Sequence, residues 1–289
     1  MAKVAVDNTS LPEGLAQESE CRSPKSRFLA AGNGWSIYDV LCTAGPKDRA
    51  FEEQHSQISI AVVLSGTFQY RTSTGRELMT PGSLLLGNPR EPFECSHEHG
   101  TGDRCISFHF SEQFCERSEI GPKLRFRIPR IPALRALSPL VANATVLLRN
   151  GFDRDLFQET AFQVLDRATH LQHGLGSRER SPSASSLARV TRVLHEIEAH
   201  PGDSHELSEL AANARLSSYH FLRCFEDLTG TTPRQYVLRT RLRRAAVRLK
   251  QETTKITDIA LDCGFGDLSN FNHAFRAEFG HSPRVYRRI

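Results

Sequence analysis

Residues 256–287 read ITDIALDCGFGDLSNFNHAFRAEFGHSPRVYR. Ile256, Ile259 and Ala260 recur at i, i+3 and i+4, the spacing of one buried helix face, and predict a short helix over 256–262. Cys263–Asp267 holds Gly264 and Gly266 and predicts a tight turn. A second helix follows over 268–279, with Phe271, Ala274, Phe275 and Phe279 on its inner side. Gly280 stands where a helix C′ glycine belongs. Ser282-Pro283 then offers an N-cap residue followed by proline at the first helical position.

The same plan occurs once more upstream, in LSELAANARLSSYHFLRCFEDLTGTTPRQYV, residues 207–237. Phe225 matches Phe275, Gly230 matches Gly280, Pro233-Arg234 matches Pro283-Arg284, and Tyr236 matches Tyr286, at an offset of about 50. Leu210-Ala211 matches Ile259-Ala260 one residue out of step, so the second copy gains a residue in its turn. Each copy is a helix–turn–helix pattern. Between them, Arg234, Arg239, Arg241, Arg243, Arg244, Arg248 and Lys250 occupy a helix of roughly Pro233 to Lys250 that contains no acid. Such a helix spans ~27 Å and would hold the two helix–turn–helix units at a fixed separation.

Outward from this repeat the composition changes. Residues 187–289 hold 16 Lys and Arg against 12 Asp and Glu, which accounts for the whole chain's net charge of +4. A local basic excess is the electrostatic requirement for binding a polyanion. Residues 173–186 (HGLGSRERSPSASS) are rich in Gly and Ser and predict a linker. Residues 28–128 show short β-type runs, such as Ile58–Leu64, Thr67–Tyr70, Ser83–Leu86 and Ile106–Phe110, separated by turn residues, and predict a sandwich or barrel. Helical periodicity returns over 133–149 and 154–172, where Phe157, Ala161, Val164, Leu165, Ala168 and Leu171 form one stripe. The predicted division is a flexible arm over 1–27, a sensor domain over 28–172, a linker over 173–186 and a helical domain over 187–289. The fold class is α+β and multidomain.

Hydrophobic residues make up 39% and charged residues 24% of 289, which excludes a disordered or collagen-like chain. No apolar run reaches the ~18 residues of a membrane helix. Asp7, Glu13, Glu18 and Glu20, with no apolar stretch among them, predict no secretory leader. Seven cysteines at irregular spacing favour a reducing, cytoplasmic setting.

Residues 187–289 resemble the DNA-binding domain of the AraC/XylS family of bacterial transcription regulators. The signature runs from Ile256-x-x-Ile259-Ala260-x-x-x-Gly264-Phe265 through Phe275-x-x-x-Phe279-Gly280-x-Ser282-Pro283-x-x-Tyr286-Arg287. The resemblance implies two helix-turn-helix units contacting successive major-groove segments of promoter DNA. On the first recognition helix the face opposite Phe221 and Phe225 offers Ser218, Tyr219, Leu222 and Arg223; on the second it offers Ser269, Asn270, His273 and Arg276. Arg223 suits guanine O6/N7 and Asn270 suits adenine N6/N7. Arg239, Arg243 and Arg284, with Arg287 and Arg288, are candidates for phosphate contact or for structural pairs. Leu222 and Leu268 depart from the polar residues expected on such faces.

The run VVLSGTFQYRTSTGRELMTPGSLLLGNPREPFECSHEHG, residues 62–100, resembles the cupin-like sensor barrel often joined to this domain. Its metal-enzyme motifs are broken: the first reads Glu53-x-His55-x3-Ser59-x6-Gly66, and Phe93 and Glu94 stand near the histidine of the second. A separate cluster of Cys95, His97, His99 and Cys105, with Asp103 and His109 nearby, suits Zn or another soft metal if a hairpin closes it. Alternatively Cys95 and Cys105 form a redox pair. In the family, helices placed like 133–149 and 154–172 commonly pair two subunits, so their stripe is a candidate homodimer seam. The expected function is a non-enzymatic, effector-responsive activator, cytoplasmic and nucleoid-associated, with RNA polymerase as a family-implied partner and no required cofactor. The alternatives are a cupin-type metal-binding enzyme or metal or redox sensor fused to a DNA-binding domain, and a helical protein-contact module.

Overall fold

The computed structural model describes residues 24–100, 102–117, 124–148, 154–176 and 183–289. Most of the 1–27 arm lies outside these residues, but its last three belong to the first strand, β1 (Lys25–Gly32). The strands that follow are β2 (Trp35–Cys42), β3 (Phe51–Gln54), β4 (Ile58–Gly66), β5 (Phe68–Thr72), β6 (Gly75–Met79), β7 (Leu84–Gly87), β8 (Pro92–Ser96), β9 (Asp103–Phe110) and β10 (Arg130–Ile131). They form two antiparallel sheets, one ordered β1-β2-β9-β4-β7-β10 and the other β3-β8-β5-β6. A short helix, α1 (Glu112–Arg117), follows β9.

Period-two alternation divides the long strands between two cores. Ile106, Phe108 and Phe110 of β9 join Ile37, Ile58 and Ile60 under the helices α2 (Ser138–Leu147) and α3 (Arg154–Gln172). Cys105 packs in the other core, between the sheets, with Val63, Tyr70, Met79 and Cys95. The helix expected over 133–149 is shorter: Arg135–Leu137 is a 3-10 turn, and Pro139 sits in the first turn of α2. The helix expected over 154–172 is α3 over the same residues.

The stripe of α3 is buried against its own barrel. Phe157, Ala161, Val164, Leu165 and Ala168 all lie in the core beneath the six-stranded sheet. The homodimer seam expected there is therefore occupied within one chain. An apolar helical face reports burial, and here the apolar surface it meets is the back of β1, β2, β4 and β10.

The C-terminal part is all helical: α4 (Ala184–Ala199), α5 (Leu207–Asn213), α6 (Ser218–Thr229), α7 (Pro233–Gln251), α8 (Ile256–Asp262), α9 (Leu268–Phe279) and α10 (Pro283–Tyr286). Helix α4 starts inside the predicted 173–186 linker, because Ser183 accepts from Ser186 N as its N-cap. Helices α4, α5 and α6 share one core with Tyr236 and Val237 at the start of α7, and the rest of α7 shares another with α8, α9 and α10. The two copies end alike: Gly230 at φ 77° closes α6 and Gly280 at φ 79° closes α9, a left-handed geometry that glycine adopts without Cβ strain.

Candidate nucleic-acid interface and barrel site

Each recognition helix is set by its caps and by aromatic anchors. Ser217 accepts from His220 N to start α6, and Asp267 accepts from Asn270 N at 2.7 Å to start α9. Phe221 and Phe225 are fully buried on α6, as are Phe271 and Phe275 on α9. Each inward pair therefore fixes which side chains face solvent.

Those outward residues are Ser218, Tyr219 and Arg223 on α6, and Ser269, Asn270, His273 and Arg276 on α9, all exposed. Tyr219 is 71% exposed, and the Arg223 guanidinium lies 5.9 Å from its ring centroid, a cation–π approach between neighbouring turns. Leu222 is half-buried and Leu268 exposed. A groove of about 780 Å³ runs between the two units and is lined by both Leu222 and Asn270, with Arg234 and Leu238 of α7 at its side. Arg284 is exposed on α10, whose N-cap Ser282 accepts from Val285 N.

The bridging helix α7 differs from its expected role. Arg239 donates to Ala133 O at 2.9 Å and lies 3.6 Å from Glu278. Arg243 donates to Thr240 Oγ1 and lies 3.7 Å from Glu198. Its Nη1 sits so close to Gly82 that a Cβ there would lie 2.6 Å away. Both are turned toward the barrel and take the structural-pair alternative of the two expected for them. Arg241 donates to the carbonyls of Pro201, Gly264 and Asp203, and Arg248 pairs with Glu252 and Asp262. Lys250 lies over the Tyr286 ring. Of the seven bases, Arg234 and Arg244 are the exposed ones. The helix contains no acid, but its partners come from elsewhere in the chain.

The barrel cluster is also rearranged. Cys95, His97 and Cys105 are buried, and His97 Nε2 lies 2.7 Å from Asp103 Oδ1. Cys105 Sγ donates to Asp103 Oδ2 at 3.3 Å. Burial pushes the Cys95 and Cys105 thiols well above their ordinary range. His99 leaves the group: β8 ends at Ser96, and His99 sits 3.8 Å from Glu98 in a hollow shared with Leu187 and Thr191 of α4. A residue not singled out in the sequence takes its place. Cys42 pairs across the ladder with Asp103, and its Sγ, a His97 ring nitrogen and an Asp103 oxygen lie within 4.8 Å of one another. Only the β2–β9 register could have revealed it.

Nearby, His55 Nε2 lies 2.7 Å from the Tyr70 hydroxyl, which donates to Leu86 O. The ring therefore carries its proton on Nε2. Burial pushes the pKa values of His55 and His109 down to about 4 from an ordinary 6.5. A depressed folded-state value means that both stay neutral above pH 6.5 and must charge, against the fold, as pH falls toward 4. Unfolding free energy is thus expected to drop by several kcal/mol, ~3 from each histidine, between pH 6.5 and 4. Urea titrations across that range check it, with His55→Gln removing about half the drop.

Comparison with known proteins agrees with this architecture. A family model described as an AraC-like ligand binding domain matches residues 40–165, and one described as a helix-turn-helix domain matches residues 210–289. The chain is 39% identical over 100 residues to the HTH-type transcriptional activator RhaS of Klebsiella pneumoniae (strain 342), covering 35% of this chain and 36% of that protein. It is 36% identical over 150 residues to the RhaS activator of Citrobacter koseri, covering 52% and 47%. The matches thus span between about a third and a half of the length of these curated relatives. A solved transcriptional regulator with an AraC-type DNA-binding domain from Chromobacterium violaceum is 30% identical over 37% of this chain and 95% of that one, with a TM-score of 0.34. With a ligand-binding barrel of that type followed by the duplicated helix-turn-helix and its signature residues, the chain belongs to the AraC/XylS family.

Proposed function

We propose that the protein is a sequence-specific transcription activator that binds duplex promoter DNA through α6 and α9 and responds to a small effector held in the barrel. The observation that carries this is the pair of recognition helices, each anchored by buried phenylalanines and each exposing hydrogen-bonding residues, at the two ends of α7. Nineteen helical residues give α7 a length of ~28 Å. The relatives matched are named transcriptional activators, which supports activation over repression and a binding role over catalysis. RNA polymerase is the partner that activation requires, and the cytoplasm is the compartment where promoter DNA lies. Among the described residues no helix is long and apolar enough to cross a membrane.

Footprinting on chromosomal fragments retained by the full chain tests the proposal. Two protected patches about one helical turn apart are expected, with affinity falling steeply as salt rises. Salt-insensitive or absent duplex binding overturns it.

Within this reading Arg223 and Asn270 read bases, and Arg284, Arg234 and Arg244 meet phosphates. Arg223→Ala is expected to lose ~1–3 kcal/mol of discrimination at one base pair. Competition assays with single-base operator variants measure this. Equal loss on specific and random duplex would assign Arg223 to the backbone instead.

A further inference from the structure

DNA binding makes no use of the polar cluster inside the barrel. Cys42 ends β2 and Asp103 begins β9, and the antiparallel ladder sets them directly opposite each other. His97, just beyond β8, closes the group from the other sheet. All three residues are buried, and their donor atoms lie within 4.8 Å of one another. Cys105 reaches Asp103 as well, and Cys95 is buried in the same core. Cys42, Cys95, Asp103 and Cys105 all line a cavity of about 310 Å³ between the sheets.

We propose that this barrel binds a zinc-class divalent cation through Cys42 Sγ, a His97 ring nitrogen and an Asp103 carboxylate oxygen. Thiolate, imidazole and carboxylate are the donors zinc takes, at ~2.0–2.3 Å. Tetrahedral bonds of that length put donors ~3.5 Å apart, so a pair at the full 4.8 Å would close by about 1.3 Å, and His97 Nε2 and Asp103 Oδ1, 2.7 Å apart, would open by about 0.8 Å. Side-chain rotation supplies that much. Three protein donors leave a fourth position, which the Cys105 thiol or a molecule in the cavity fills. Several buried polar and ionisable groups in an apolar barrel are costly unless they are paired or ligate a cation, and a divalent ion compensates them together. As the ion binds, the Cys42 S–H bond breaks, the Sγ–metal bond forms and the proton passes to solvent. The ring proton that His97 directs at Asp103 also passes to solvent, so that His97 binds as neutral imidazole, and no electron is transferred. The cluster lies in the barrel, so metal binding and duplex binding succeed or fail separately.

The test uses the full chain, purified under reductant, loaded with Zn²⁺ or Co²⁺ and desalted. About one equivalent of zinc should be retained, and cobalt should give a thiolate-to-metal charge-transfer band with the visible bands of a four-coordinate ion. Cys42→Ser should remove at least half of the charge-transfer band, and all of it where Cys105 does not ligate, and Asp103→Asn should weaken affinity by at least about tenfold. Cys263→Ser, buried in the second helix-turn-helix core, should leave the spectrum unchanged. No retained metal and no thiolate band in the unaltered protein overturns the proposal, whether or not the variants fold. A full-strength band in folded Cys42→Ser overturns it too.

Discussion

Replacing Arg130 by alanine is expected to lower the unfolding free energy by about 3–5 kcal/mol. Its side chain is 2% exposed and is shared between the domains. Nη1 donates to Leu78 O, at the edge of the barrel, and to Leu228 O, near the end of α6, both at 2.8 Å. Nη2 lies 2.7 Å from Glu77 Oε2, a carboxylate only 17% exposed. Removing the guanidinium strands two carbonyls and a partly buried negative charge, each costly without a donor. Urea unfolding of Arg130→Ala beside Arg130→Met separates the causes. Methionine keeps most of the side-chain volume, so an equal loss in both variants assigns the effect to the polar contacts. A loss under about 1 kcal/mol in Arg130→Ala would show that the interface does not depend on this residue.

The second large effect is expected at Phe275. Its ring is fully buried, with centroids 4.5 Å from Phe279, 5.3 Å from Tyr286 and 5.5 Å from Phe271. Phe275→Ala deletes the centre of that stack and should cost about 3–5 kcal/mol. The loss should be local, because α6 belongs to a separate core built on Phe221, Phe225 and Tyr236. Hydrogen exchange should show α9 amides losing protection while α6 amides keep theirs. Phe225→Ala should give the mirror result. Uniform loss across both units would mean that they unfold as one block.

These two predictions draw on information of different reach. The aromatic stack at Phe275 was legible in the sequence, because residues i and i+4 on one helix meet without help from the rest of the chain. The cap at Ser282, and its match Thr232 in the first copy, each followed by proline, were legible for the same local reason. The role of Arg130 was not, since its partners Leu78 and Leu228 come from two different domains. The sequence leaves Arg239 and Arg243 open between phosphate contact and structural pairing because their acids, Glu278 and Glu198, lie far away in the chain. His99 was grouped with Cys95 and His97 by strand alternation, which stopped applying where β8 ended at Ser96. Cys42 entered the barrel cluster through a long-range strand register that spacing alone does not encode. Periodicity showed that α3 buries a face, and the fold showed that the barrel is what covers it.

The shared guanidinium of Arg130 also bears on how this chain can drift in length. It ties a carbonyl of the barrel to a carbonyl of the first helix-turn-helix unit, so the angle between them does not depend on how many residues lie between 176 and 183. Insertions or deletions in that connector should leave the docking geometry intact, whereas a substitution at position 130 should disturb it with every connector length.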